Sequence, residues 1–219
     1  MARRNGIVYG AVVAASALVL TACGGDGDSA EDDEIAGVQT PTEESEPEQT
    51  EDPEPTEDPE AGRPEIDLGP DFENVYEVEP TGDAVVDAAL LDLRGFQDAV
   101  AEAVVTHEND RPALSYYVTG EALSQVFSTL EYVFETGNSS GGTTRYYNMN
   151  VTPVDDVSAT FSFCRDFTEV YTIDLATGEV VEEADPNAVP DYYFGRLELN
   201  DAGVWQTVAY DLESGNPSC

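Results

Sequence analysis

Three cysteines, one histidine and a few carboxylates among strand-like segments are the residues of this 219-residue chain with chemistry to offer. Cys23 sits on a seam between an apolar run (residues 6–22, GIVYGAVVAASALVLTA) and glycine with acid (GGDGDSAEDDE). A thiol between small neighbours at the end of such a run is placed for modification at a membrane surface. His107, beside Glu108 and Asn109, falls at the expected end of a helix, where the dipole favours a cation; it reads as a helix-end residue and not as a base. No Ser-His-Asp or Cys-His set can be assembled from one histidine, and a zinc site lacks ligands, so neither a metal nor a cofactor is expected. Asp166 and Asp174 are strand-borne carboxylates that read as surface residues. Aromatic residues arrive in adjacent groups: Tyr116-Tyr117, Tyr146-Tyr147 and Tyr192-Tyr193-Phe194. Neighbouring strand residues face opposite ways, so each pair in a strand sends one ring inward. Tyr117, Tyr146 and Tyr193, with Phe161 and Phe163, are the residues expected at a pocket or its rim, where a hydroxyl finds a partner. Packing alone accounts for most such rings.

The seam at Cys23 has a recognisable form. Arg3 and Arg4 precede an apolar run too short for an ordinary membrane-spanning helix, and the flank after it is acidic where an anchor would be basic. A cleavable signal over residues 1–22 is the reading that follows. Leu20-Thr21-Ala22-Cys23, followed by Gly24, resembles the lipobox of bacterial lipoproteins. The resemblance implies that the Cys23 sulfur receives a diacylglycerol and that cleavage makes Cys23 the N-terminus, with acyl chains such as palmitate holding the protein stably. The implied location is the extracytoplasmic face of the bacterial cell membrane. Export by the general or the twin-arginine route is left open by MARRNGI.

Composition fits export. The chain carries 46 acidic residues against 8 basic ones, all arginine, for a formal charge of -38. Such a field repels phosphate, which argues against nucleic acid or a polybasic membrane contact. Much of the acid lies in residues 23–80, with TEESEPEQTEDPEPTEDPE at the centre. A segment this polar cannot bury enough apolar surface to offset its ordering entropy, so it is expected to be a disordered tether. Its acids lack the spacing and turn glycine of a calcium loop. Only FENVYEV (residues 72–78) regains the aromatics needed to dock.

Residues 81–219 form one domain of ordinary size. Val86, Leu90, Leu93, Val100 and Val104 recur at helical steps and predict a helix over 83–106. A short helix is expected over 113–119, and a third over 121–136 with Leu123, Phe127, Leu130 and Phe134 inward and Gly137 as its stop. After a turn at NSSGG (138–142) the period becomes two, predicting strands in TRYYNMNVTPV, VSATFSFC, EVYTIDL, YYFGRLEL and VWQTVAYDL, with ATGE and NDAG as connections. Helices followed by an antiparallel meander is an α+β arrangement, the helices packed on one sheet face. In an oxidising compartment Cys164 and Cys219, the thiols left once Cys23 is acylated, are expected to bridge if their strands are neighbours. A catalytic or metal-binding thiol is the weaker alternative, because no third ligand stands ready.

The order of elements, with SFCRDF, the D-x-x-T-G-E turn at 174–179, GVWQTV and the terminal cysteine, resembles the NTF2-like domains of actinobacterial lipoproteins. The resemblance implies a cone: N-terminal helices closing a curved antiparallel sheet of the NTF2-like or cystatin-like kind. It implies no single activity, since this fold hosts enzymes and binding domains alike. The function expected is a membrane-anchored, non-catalytic domain of the cell envelope that binds a small apolar ligand or an envelope protein. The alternative is an isomerase or dehydratase using a carboxylate in the cone.

Overall fold

The computed structural model describes residues 62–219; the expected signal segment, Cys23 and the expected tether up to residue 61 lie outside the described residues. Helix α1 (Ala84–Thr106) starts where Asp83 Oδ1 accepts the N–H groups of Val85 and Val86, at 2.9 and 3.3 Å. A side-chain oxygen there satisfies donors that the first turn leaves without a partner. Helix α2 (Pro112–Tyr117) opens on a proline, whose missing N–H costs nothing at that position. Helix α3 (Gly120–Thr136) stops at Gly137, which takes the left-handed φ of 70° that a terminating residue needs. No helix among the described residues is long and apolar enough to cross a membrane.

Strands β1 (Phe72–Tyr76), β2 (Asn138–Pro153), β3 (Ser158–Asp174), β4 (Val180–Glu182), β5 (Asp191–Leu199) and β6 (Trp205–Ser214) form one sheet in the order β1-β2-β3-β5-β6, with β4 on the end of β3. Every pairing is antiparallel except β1 with β2. Register shifts interrupt the β2–β3 ladder between Thr143 and Arg145 and between Tyr147 and Asn150, and Asn148 there has a φ of 52°. Bulges of this kind bend a strand, which lets long β2 and β3 curve over the helices. The architecture is α+β with the helices on a curved, antiparallel-rich sheet.

Several boundaries differ from expectation. The tether was expected to run to residue 80, yet Phe72–Tyr76 forms β1 along β2 and the fold starts with a strand. The reason is burial: Ile66, Tyr76 and Val78 pack against the core. NSSGG is strand, not turn, pairing with Val170 to Asp174. Its glycines serve close approach: the ring of Tyr171 occupies the space a Cβ on Gly141 would need, and the Glu169 carbonyl that of Gly142, whose φ is 93°. VSATFSFC and EVYTIDL join into one continuous strand, β3. On α3 the buried stripe is Ala122, Val126 and Leu130, with Leu123 and Phe134 packed partly buried beside it as expected, while Phe127 is exposed. On α1 the centre of the contact is Ala89, Leu93, Phe96, Ala99 and Ala103, and Val86, Val100 and Val104 flank it.

Candidate functional site

The rings expected at a pocket are core residues first. Phe163 is fully buried and stacks between Phe161 and Tyr193, at centroid distances of 5.8 and 5.0 Å. Tyr146 meets the edge of Phe163 and stacks on Tyr76 at 4.9 Å. This aromatic column fills the middle of the space between helices and sheet. Phe161, Phe163 and Tyr193 therefore line neither of the two cavities that flank it; Tyr146 and Tyr117 line one each.

The interior cavity, about 260 Å³, lies between α1 and the concave side of β1 to β3. Val100, Ala101 and Val104 of α1, Phe72 of β1, and Phe167 and Val170 of β3 give it apolar walls. Its polar groups are Gln97, Ser140, Thr144, Tyr146 and Arg165, and it contains no carboxylate. Gln97 is only 5% exposed, yet its amide makes no hydrogen bond with any described residue. The Tyr146 hydroxyl also makes none, and burial pushes its ionisation well above the ordinary phenol value despite the opposing charge of Arg165. Arg165 gives Nη2 to Asp191 Oδ2 at 2.8 Å and leaves Nε buried without a partner. Its guanidinium lies over the rings of Tyr193 and Phe167, at 5.0 and 5.6 Å. Buried Asp191 also accepts the hydroxyl of Ser214, its register partner on β6, so the ion pair is held from the neighbouring strand.

A second cavity of about 440 Å³ lies between α1, Tyr76, Tyr117 and the strap formed by residues 63–66. Leu91, Arg94, Gly95 and Asp98 supply its α1 wall. Asp98 Oδ1 accepts the Tyr76 hydroxyl at 2.7 Å and Asn74 Nδ2 at 2.8 Å, while Oδ2 makes no hydrogen bond with a described residue. Burial raises the Asp98 carboxyl above the usual carboxylate range; the bonds from Tyr76 and Asn74 and the charge of Arg94 pull the other way. Burial also lifts Tyr117 to about 12.

The carboxylates singled out from the sequence are elsewhere. Asp174 caps the turn after β3, accepting Thr177 N and Oγ1 at 2.8 and 2.9 Å, which lowers its pKa. Asp166 accepts Thr168 N at 2.9 Å and lines neither of these two cavities. His107 ends α1 at a left-handed φ of 56°, with Nε2 against the Asn138 carbonyl at 2.6 Å and its ring stacked on Phe134 at 4.7 Å. Cys164 and Cys219 are joined in a disulfide, their Cα atoms 5.6 Å apart. Tyr147 Oη and Asn148 Nδ2 donate to the carbonyls of Cys219 and Ser218, at 3.1 and 3.3 Å, so the tail is held over β2. Sequence reasoning missed Gln97, Arg165 and Asp98. The signal available for the α1 pair was a polar residue on a helix otherwise rich in alanine, valine and leucine.

No protein-family model matches the chain, and no curated protein does. Among solved structures it is similar to a ketosteroid isomerase-like protein from Erwinia carotovora atroseptica, at 20% identity and a TM-score of 0.37 over 64% of this chain and 100% of that one. It is similar also to the intermembrane space region of the chloroplast protein ARC6, at 12% identity and a TM-score of 0.42 over 62% and 99%. A third is a type 2 hexachlorocyclohexane dehydrochlorinase, at 13% identity and a TM-score of 0.35 over 57% and 86%. Identities and TM-scores this low leave the function to be argued from the site itself.

Proposed function

We propose that this chain is an exported protein, acylated at Cys23 and held on the outer face of a bacterial cell membrane, whose NTF2-like domain binds a small ligand in the interior cavity. The anchoring part rests on the LTAC seam and the acidic tether. The binding part rests on one observation: Gln97 is buried against an apolar-walled cavity with its amide unpartnered. A buried amide without a partner costs free energy that a bound ligand can relieve, and a few convergent polar groups in an apolar cavity are the usual composition of a ligand site. The test is mass spectrometry of what leaves the detergent-extracted native protein on denaturation, compared with Val104→Trp, which fills the cavity. A small molecule released from the wild type and absent from the variant supports the reading. The same molecule released from both places binding elsewhere, and a stoichiometric envelope protein in its stead makes the domain an interaction module.

One observation favours a second reading, a carboxylate-base enzyme. Asp98 has one oxygen pinned by Tyr76 and Asn74, the other free, and a carboxyl made more basic by burial, as a base for proton abstraction beside a carbonyl would need. Incubation with cyclohexanone in D₂O tests it. Deuterium uptake at the α-carbon that is lost in Asp98→Asn would establish the enzyme; uptake equal to buffer alone would remove it for such ketones.

A further inference from the structure

We infer that the interior cavity takes a monocarboxylate with a short apolar body, its oxygens held by Arg165, Gln97 and Tyr146. The inference rests on the ligand-binding reading above and adds the chemical class.

The cavity's fully buried atoms without a partner, Arg165 Nε and Gln97 Nε2, are both donors. Arg165 Nε is a buried N–H without an acceptor, the Gln97 amide carries two N–H bonds with no partner, and the Tyr146 hydroxyl is unbonded. Burial keeps that hydroxyl protonated through neutral pH, so it donates and does not compete as an anion. Donors gathered around one space call for an oxygen acceptor, and a charged acceptor makes the stronger bonds.

Charge then decides between acceptors. The protein has 46 acidic residues, yet none of the described ones lines this cavity, whereas Glu65 and Asp98 both line the strap cavity. An acid-free wall with one arginine in so acidic a chain removes the repulsion an anion would meet at close range. The single guanidinium already shares its charge with Asp191, so the site suits one negative charge and not a phosphate dianion. The Asp191 contact, backed by Ser214, also holds the guanidinium in place, so binding needs little further ordering of it. Val100, Val104, Phe167, Val170 and Phe72 make up most of the remaining wall, with only the Ser140 and Thr144 hydroxyls among them, so the remainder of the ligand is mainly apolar. A volume of about 260 Å³ limits it to a small body.

The experiment titrates the mature, detergent-solubilised protein with the straight-chain acids from butanoate to decanoate, and with the matching primary alcohols, by calorimetry and by chemical-shift mapping. The best acid should bind about tenfold or more tightly than its alcohol, with shifts at Gln97, Tyr146 and Val104. Tyr146→Phe and Gln97→Leu should each weaken the acid several-fold and leave the alcohol within about twofold. These two variants carry the test even if Arg165→Met, which strands Asp191, does not fold. Equal affinity for acid and alcohol at these residues would overturn the carboxylate assignment and keep the cavity as a binding site. Binding of neither series would overturn both.

Discussion

The Arg63 guanidinium lies 2.5 Å from Asp92 Oδ1, and Asp92 Oδ2 accepts the backbone N–H of Trp205 at 2.9 Å. One carboxylate, 1% exposed, thereby ties the segment before β1 to α1 and α1 to β6. A second does the same one face along: Glu102 Oε1 accepts Asp67 N at 3.0 Å and Arg111 Nη2 at 2.5 Å. The segment from Arg63 to Asp67 is thus strapped across α1 by two buried acids before the chain enters the sheet.

Removing the Arg63 side chain strands the charge of Asp92 inside the protein. Arg63→Met should cost about 3 kcal/mol, as loss of one partner of a buried pair does. Urea unfolding measures this, and Arg63→Met with Asp92→Asn should recover part of the loss. A midpoint unchanged by Arg63→Met would show that the strap is ornamental to stability.

Asp98 makes stability depend on pH in a definite direction. Its folded-state pKa is raised above the ordinary carboxylate value, chiefly by burial, so the folded state holds the proton more tightly than the unfolded chain. Its contribution to stability is full below the unfolded value and is lost as pH rises through the folded one. Asp98→Asn removes the buried charge, so the variant should gain on the wild type at pH 7 and lose that advantage toward pH 3. Unfolding midpoints of both proteins across this range check it; a gap that widens on acidification would reverse the sign.

The Cys164–Cys219 link spans a sequence separation of 55. On the chain-entropy model it stabilises by about 4 kcal/mol, less any strain. Cys219→Ser should lower the unfolding free energy by an amount of that order, and reduction of the wild type should match it. Two alkylatable thiols at these positions in the denatured, unreduced protein would end the claim.

Cys23→Ala should release the protein from the membrane fraction into the medium, or leave it as uncleaved precursor. Cell fractionation with an intact-mass measurement reads both. Normal processing and membrane association in this variant would refute acylation.

What could be read without coordinates is whatever repeats locally. The helix α1 over 84–106 declares itself through Asp83 as its cap and apolar steps of three and four, and Gly137 marks the end of α3. The alternation of Ala159, Phe161 and Phe163 gives one face of β3, though Val157 before them is exposed, and two thiols beyond Cys23 suggest their own pairing. The LTAC seam and the acidic tether are equally local, and so are the expectations built on them.

Tertiary structure decided the rest, because it depends on what each residue meets far along the chain. Gly141 and Gly142 look like a turn until Tyr171 and Glu169, across the ladder, are seen to need their missing Cβ atoms. Phe72–Tyr76 looks like the end of a linker until β2 offers it an edge. Asp92 and Glu102 look like the wet side of a helix until Arg63 and Arg111 reach them. Gln97 and Asp98 are neighbours in sequence with similar polarity, yet one meets the interior cavity and the other the strap cavity, since adjacent helix positions point about 100° apart. Periodicity says which face of an element is apolar; only the packed chain says which polar residue on that face is left without a partner, and that residue is where a ligand has something to gain.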